Sequence, residues 1–273
     1  MTYTELCTAL SGAGIEDAAH EAALLLEHFC GLSPAQIPLS RNRDFDSPQL
    51  REALERRLSR YPIQYIIGEW GFCGERYTLN SDCLIPRPDT ELLVEKAAQL
   101  LPPGGRFLDA GCGSGCISVS LLASRADSSG VAFDISPGAL KAAGENAAHN
   151  GVGERLTLIP GDMLDSAFWR SIGKFDAIIS NPPYIPTREI PALEPELKHE
   201  PHRALDGGED GLDFYRAIIS HAPDTLADGG IILLEVGLGQ ADDVAALAIK
   251  DGFSAEIFKD IENRGRALVL RRA

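Results

Sequence analysis

Asn181-Pro182-Pro183-Tyr184 follows directly on the apolar run Phe175–Ser180. Two prolines cannot continue a central strand, because they bring no amide donor. They stiffen the backbone instead, so the Asn181 side chain and the Pro182 carbonyl stand as fixed acceptors, with the Tyr184 ring as a flat surface beside them. Acceptors and a stacking face at this spacing make a cradle for a planar NH2 group. The two acceptors can bind both of its hydrogens while an electrophile approaches the nitrogen in line. Positioning and polarisation then carry the catalysis, and no nucleophilic side chain is required. A rigid Pro-Pro turn after a strand is the plainer reading of the same residues.

A second candidate site opens where Leu108-Asp109-Ala110 runs into Gly111-Cys112-Gly113-Ser114-Gly115, followed by a helical stretch at 116–123. Strand, glycine loop and helix in succession let the backbone approach a ligand closely, with the amides of the next helix facing it. Asp134, at the end of Val131-Ala132-Phe133, is placed to hold the two hydroxyls of a ribose. The spacing is G-x-G-x-G, with Cys116 where a dinucleotide fingerprint has its third glycine. Asp109 puts a carboxylate beside the loop, which opposes a pyrophosphate but suits the ammonium and sulfonium of S-adenosylmethionine. That cofactor is the expected ligand; a glycine loop taken alone is equally a tight turn.

The elements that must position these residues can be read from periodicity. Short apolar runs at 106–110, 131–134, 156–160, 175–180, 231–236 and 267–270 alternate with helical stretches. Such alternation predicts an α/β domain with a parallel, doubly wound sheet, whose ligands bind at the carboxyl ends of the strands. Ahead of it, Ala22, Ala23, Leu25, Leu26 and Phe29, then Leu50, Leu54 and Leu58, recur at helical spacing. Gly31 is the expected stop of the first of these helices, and Asp46, Ser47 and Pro48 the capped start of the second. The domains are therefore expected at 1–70 (helical), 71–84 (a hairpin linker) and 85–273.

Of 273 residues, 40 are acidic and 25 are Lys or Arg, for a formal charge of -15. That balance opposes a phosphate backbone unless basic residues cluster. Arg41, Arg43, Arg51, Arg56, Arg57 and Arg60 form the one dense basic set, and ten acids share residues 1–70 with them. Cys7, Cys30, Cys73, Cys83, Cys112 and Cys116 show no zinc-ligand spacing and read as reduced thiols, with no metal expected. The longest uncharged stretch, 110–124, is glycine-rich and too short for a membrane span. With no secretory signal in the first ten residues, a cytoplasmic protein without membrane association is expected.

Asn-Pro-Pro-Tyr is shared by adenine-amino methyltransferases of nucleic acids and by glutamine methyltransferases of translation release factors, the HemK/PrmC family. Further motifs resemble the second. These are Tyr61-Pro62-Ile63-Gln64-Tyr65-Ile66-Ile67-Gly68, Phe72-Cys73-Gly74, Leu84-Ile85-Pro86-Arg87-Pro88-Asp89-Thr90-Glu91 and Glu200-Pro201-His202-Arg203-Ala204-Leu205. Gly207-Gly208, Gly211-Leu212, Glu235-Val236-Gly237 and Gln240 complete the string. Asp89 stands where the family usually has glutamate. The resemblance implies a Rossmann-like class I S-adenosylmethionine-dependent methyltransferase domain behind a small helical domain that helps hold the substrate. It implies methylation of the amide nitrogen of the glutamine in the Gly-Gly-Gln loop of peptide chain release factors, in the cytoplasm; a monomer is expected and, from the acidic balance, no direct nucleic-acid binding. Carried over by position, Gly111, Gly113 and Gly115 (with Cys112 and Ser114 between them) meet the methionine part of the cofactor, Asp134 the ribose, and Asp162 and Met163 the adenine. Asn181, Pro182, Pro183 and Tyr184 hold the glutamine, with Asn181, Pro182 and Tyr184 as the catalytic set and Asn181 also beside the cofactor.

Other readings stay open at this level. Arg87 either lines the cofactor site or pairs with a surface carboxylate. Glu200 and Glu235 have the ingredients of an acid/base pair, but transfer to an amide held by acceptors does not demand one, and hydrogen bonding is the expected role. His199, Glu200, His202 and Arg203 lack metal-ligand spacing and read as a polar loop. Cys112, next to a helix start, is expected to have a lowered thiol pKa and hence sensitivity to oxidation. An adenine-amino methyltransferase, and a binding module without catalysis, are the competing functional classes.

Overall fold

The computed structural model describes residues 1–45 and 47–272. It divides into two units: Met1–Glu69 joined by Glu194–His199, and Trp70–Leu193 joined by the chain from Glu200 onward.

The first unit is helical: α1 (Tyr3–Gly12), α2 (Ala18–Cys30), α3 (Pro48–Leu58) and α4 (Ile63–Ile67). A capping box starts α1, with Thr2 Oγ1 accepting from Glu5 N and Thr2 N donating to Glu5 Oε2. Helix α2 stops at Gly31. Ser47 caps α3 by accepting from Leu50 N at 3.3 Å, with Pro48 in the first turn; Asp46 lies outside the described residues. Leu6, Leu10, Ala22, Leu25, Leu26, Leu50, Ala53 and Leu54 bury together with Ile63 and Ile66. Leu58, expected on this face, is exposed, because it falls in the last turn of α3. Helices α1 and α4 have no counterpart in the sequence expectation. The core is bordered by one buried ionic group: Arg57 holds Glu21 through Nε (2.5 Å) and a second nitrogen (3.0 Å), and Glu196 at 2.9 Å.

The second unit opens with a two-stranded hairpin, β1 (Glu69–Phe72) and β2 (Glu75–Thr78), shorter than the stretch 71–84 expected for it. Then come α5 (Asp89–Leu100), β3 (Arg106–Ala110), α6 (Cys116–Ser124), β4 (Ser129–Asp134), α7 (Pro137–His149), β5 (Leu156–Pro160), α8 (Ser166–Ser171) and β6 (Phe175–Ser180). After short 3-10 turns follow α9 (Asp213–Thr225), β7 (Leu226–Glu235), α10 (Ala241–Lys250), β8 (Phe253–Lys259) and β9 (Gly265–Arg272). The seven-stranded sheet runs β5-β4-β3-β6-β7-β9-β8. It is mixed rather than wholly parallel: β9 pairs antiparallel with both β7 and β8. Strand β8 escapes the sequence reading because its exposed positions alternate at the sheet edge, leaving no apolar run.

Leu108 and Ala110 of β3 bury against the cluster that includes Phe133, Ile178, Tyr215, Ile218 and Val244, so α9 and α10 cover one face. Asp109 points the other way and bonds to Ser118 of α6. The order reverses at β3, with β4 on one side and β6 on the other, so the loops after β3 and β6 leave from adjacent strands. Ser180 Oγ donates to Ala110 O at 2.6 Å and ties those two strand ends together. Asn146, buried on α7, donates to Ser114 O at 2.9 Å and exchanges two bonds with Thr78, joining the hairpin to the glycine loop. Among the described residues no helix is long and apolar enough to cross a membrane.

Removing one member of a buried ionic group strands the others. Arg57→Leu is therefore expected to destabilise the first unit by about 3–5 kcal/mol, read as a lowered denaturant midpoint in the far-UV signal. A midpoint within error of the parent would show that Glu21 and Glu196 do not need the guanidinium.

Candidate active site

The glycine loop owes its shape to the end of β4. Gly111 N and Cys112 N both donate to Phe133 O, at 2.9 and 3.0 Å, and Gly113 N donates to Asp134 Oδ2 at 2.9 Å. Gly115 N turns back to Cys112 O. Four of the loop's amides are thus taken up within the protein, and the loop is no open nest for a phosphate. Gly111 has φ +75°, and a Cβ there would lie 2.7 Å from Met163 Cε; at Gly115, φ +77°, it would press on Ala143. Both positions need glycine for conformation and for space.

A cavity of about 290 Å³ lies over these strand ends. Among the expected cofactor residues, Arg87, Gly111, Cys112, Gly113, Ser114, Asp134, Asp162, Met163 and Asn181 line it, as does Pro183 of the substrate motif. Gly115 and Asp109 do not: Asp109 is wholly buried beneath the loop. Its Oδ2 accepts from Ser118 Oγ (2.5 Å) and N (3.2 Å), while Oδ1 is buried without a hydrogen-bond partner among the described residues. Burial pushes its carboxyl up to about 7, against the pull of the Ser118 bonds. Asp134, at the cavity wall, accepts from Gly113 N and, at 2.8 Å, from Ser136 N. Burial raises its carboxyl too, with backbone donors and Arg203 opposing. Asp162 Oδ1 accepts from Leu164 N, and Met163 is fixed through its carbonyl by Trp169 Nε1 at 2.8 Å.

These groups fit S-adenosylmethionine. A carboxylate sealed beneath the loop favours a cation above it by its charge, amides that face inward oppose a pyrophosphate, and a strand-end carboxylate retains lone pairs for a ribose.

The Asn-Pro-Pro-Tyr segment is gripped on several sides. Ile185 N donates to Leu205 O, Gly207 N to Ile185 O and Thr187 N to Gly208 O. Gln240 donates to Tyr184 O at 2.9 Å while its own oxygen accepts from Gly237 N. A Cβ on Gly207 would lie 2.8 Å from Tyr184 Cα, and one on Gly237 would lie 2.9 Å from the Tyr184 ring. Those glycines leave room for the motif. Pro182 is buried, and neither it nor Tyr184 is part of the cavity wall. Burial pushes the Tyr184 phenol up to about 12.

Two neighbours complete the surroundings of Asn181, and the sequence left Thr90 unassigned. Asn181 Nδ2 donates to Thr90 Oγ1 at 3.1 Å, so Thr90 of α5 sets how the Asn181 amide faces. Glu235, 2% exposed at the end of β7, has its carboxyl pushed up to about 7 by burial. A threonine beside an acidic helix start carried no periodic signal, whereas Glu235 was expected in a hydrogen-bonding role, though without a partner.

Arg87 lines the cavity and pairs with Glu200, which is a buried carboxylate and not the surface one of the alternative reading; its other oxygen accepts from Ile85 N at 3.0 Å. Glu200 thus anchors the segment leading into α5. His202 pairs with Asp206 at 3.8 Å, and the His199 ring packs edge-on to Tyr61. Arg203 lines the cavity, a placement the sequence reading did not give it. Cys112 corrects an expectation: it is buried, and desolvation with Asp109 and Asp134 nearby drives its thiol well above the usual range.

An open sheet with a glycine loop after its central strand and a polar motif on the next strand defines the Rossmann-like methyltransferases. A family model described as the methyltransferase small domain matches residues 88–240, and one described as the PrmC N-terminal domain matches residues 3–68. A methyltransferase structure from Pyrococcus furiosus shares the fold, with a TM-score of 0.56 and 19% identity over 73% of this chain and 90% of that one. The release factor glutamine methyltransferase of Rhodospirillum rubrum is 44% identical over 96% of this chain and 82% of its own length. That of Cereibacter sphaeroides is 42% identical over 96% and 94%. The chain belongs to the release factor glutamine methyltransferase family.

A protonated, buried thiol reacts slowly. Brief treatment of the native protein with iodoacetamide near neutral pH is expected to leave Cys112 unlabelled by peptide mass spectrometry, and denaturation to expose it. Rapid labelling of Cys112 in the native state would restore the reactive-thiol reading.

Proposed function

We propose that this protein methylates the side-chain amide nitrogen of the glutamine in the Gly-Gly-Gln loop of peptide chain release factors, using S-adenosylmethionine. The observation that carries the reading is the orientation of Asn181: with Nδ2 engaged by Thr90, its Oδ1 is the atom left to accept from an incoming NH2 group. When bound, S-adenosylmethionine supplies a methyl carbon activated by its sulfonium. Asn181 Oδ1 and the Pro182 carbonyl hold the substrate amide, and the Tyr184 ring supports its plane. Asp109, sealed beneath the loop, acts on the cofactor's ammonium through its charge rather than by contact; Asp134 meets its ribose, and Asp162 and Met163 its adenine, while Arg87 and the loop residues Gly111 to Ser114 complete the wall.

The helical unit helps hold the release factor, and the protein acts as a cytoplasmic monomer without contacting nucleic acid. The formal charge of -15 supports that exclusion, as does the involvement of Arg57 and Arg60 with Glu196, which takes them out of a free basic path.

The decisive experiment incubates the protein and labelled S-adenosylmethionine with a release factor, its Gln→Ala loop variant and unmethylated DNA, and locates the label by mass spectrometry. Label on the loop glutamine, absent from the variant, is expected; label on adenine would establish the adenine-amino class instead. Asn181→Ala is expected to lower turnover by about 10²–10³-fold with cofactor binding largely kept. Near-normal turnover would take Asn181 out of the mechanism.

The Asp109 carboxyl, raised to about 7, adds a pH dependence. A cationic ligand favours its ionised form, so binding near neutrality releases a proton and affinity falls as pH drops through that value. Calorimetry across this range should show S-adenosylmethionine binding weakening on the acid side, and Asp109→Asn should flatten the slope. An unchanged slope in that variant would assign the proton elsewhere.

A further inference from the structure

Asn181 can serve as an acceptor only if its amide is the right way round, and nothing in its own covalent structure decides that. Its nitrogen and oxygen are nearly isosteric, so a flip would present an NH2 group to the substrate's NH2 group, donor against donor. The flip is opposed by Thr90, whose Oγ1 accepts from Asn181 Nδ2 at 3.1 Å. A hydroxyl can also donate toward Asn181, so Thr90 fixes the polarity only if its own proton is committed elsewhere.

Glu235 is the buried acceptor available for that proton. Its side chain is almost fully buried, Oε2 lacks a hydrogen-bond partner among the described residues, and Thr90 lies on α5, which packs against β7 and brings its hydroxyl to bear on the carboxylate. We propose that Glu235 and Thr90 form a buried positioning relay: ionised Glu235 accepts from the Thr90 hydroxyl, Thr90 accepts from Asn181, and Oδ1 of Asn181 is thereby turned toward the substrate. The proposal deepens the functional reading above and rests on it.

The relay depends on the charge of Glu235. Protonated, Glu235 becomes a donor to Thr90, the Thr90 hydroxyl turns to Asn181, and the amide loses its fixed sense. Burial and Asp89 at the start of α5 favour the protonated form. Arg266 of β9, Arg87 and the Thr90 hydrogen bond favour the ionised one. Tyr184, Tyr215 and Cys116 also face it, and all three remain neutral, their pKa values raised by burial. With the Glu235 carboxyl at about 7, turnover is expected to fall with a one-proton limb below that pH.

Wild-type protein, Thr90→Val, Thr90→Ser and Glu235→Gln would be compared across this range at saturating cofactor and release factor, which removes the Asp109 effect on cofactor affinity. Thr90→Val is expected to lower kcat by about 10–100-fold at saturating S-adenosylmethionine, its cofactor affinity being read separately by calorimetry because Thr90 lines the cavity; Thr90→Ser restores most of the loss. Glu235→Gln, which carries no titrating carboxyl, is expected to lose the acid limb. Thr90→Val turning over like wild type, or an acid limb surviving in Glu235→Gln, overturns the relay.

Exchange protection of the Asn181 side-chain amide, read by NMR on the protein without substrate, tests the same contact independently of activity. Protection should be present in wild type and lost in Thr90→Val; equal protection in both counts against the relay. Wild-type protein that labels no glutamine would instead sink the functional reading, leaving the exchange experiment to decide the relay.

Discussion

The carboxyl end of β4 holds the glycine loop shut. Phe133 O receives the amides of Gly111 and Cys112, and Asp134 receives that of Gly113. Had those amides faced outward, the loop would have been an anion nest, suited to a diphosphate. Facing inward, they leave carboxylates as the dominant charges around the cavity, and a site of that sign selects a cation. The same bonds set the heights of neighbouring groups. Asp109 is sealed beneath the turn, Asp134 is fixed at the rim, and Met163 packs where Gly111 has no side chain.

The polar motif after β6 obeys a related constraint. Two prolines can neither pair in the sheet nor donate, so the segment must be held by its carbonyls and by the atoms around it. Gln240 takes the Tyr184 carbonyl, residues 205–208 pair with Ile185 and Thr187, and glycines at 207 and 237 keep the space clear. Catalytic advantage in such a site lies in stiffness, since acceptors already in place need no reorganisation when charge develops.

Much of this was legible in the sequence because it rests on local rules. Glycines at 111, 113 and 115 between a strand and a helix, and prolines after the apolar run ending at Ser180, declare themselves by residue type alone. The placement of Asp134 at a strand end followed from the alternation of elements. What escaped depends on tertiary neighbours. Cys112 lies near a helix start in sequence, yet burial decides its thiol. Thr90 and Asn181 are 91 residues apart and meet only once α5 packs against β7 of the sheet. Edge strand β8 and the antiparallel direction of β9 were hidden because a strand's partner and direction are set by connections rather than by composition.

The chain passes between the two units three times, at Glu69/Trp70, at Leu193/Glu194 and at His199/Glu200. Glu196, in the short returning segment, meets Arg57 across 139 positions of sequence. During synthesis the helices of the first unit therefore emerge long before one of the two carboxylates that Arg57 holds. Completion of the amino-terminal unit is coupled to translation of most of the carboxyl-terminal one, a non-local closure that slows folding relative to a helical bundle made of local contacts. An excised fragment ending at Glu69 would keep Glu21 for Arg57 but not Glu196, so the division between the units is a boundary in space without being a boundary in the order of assembly.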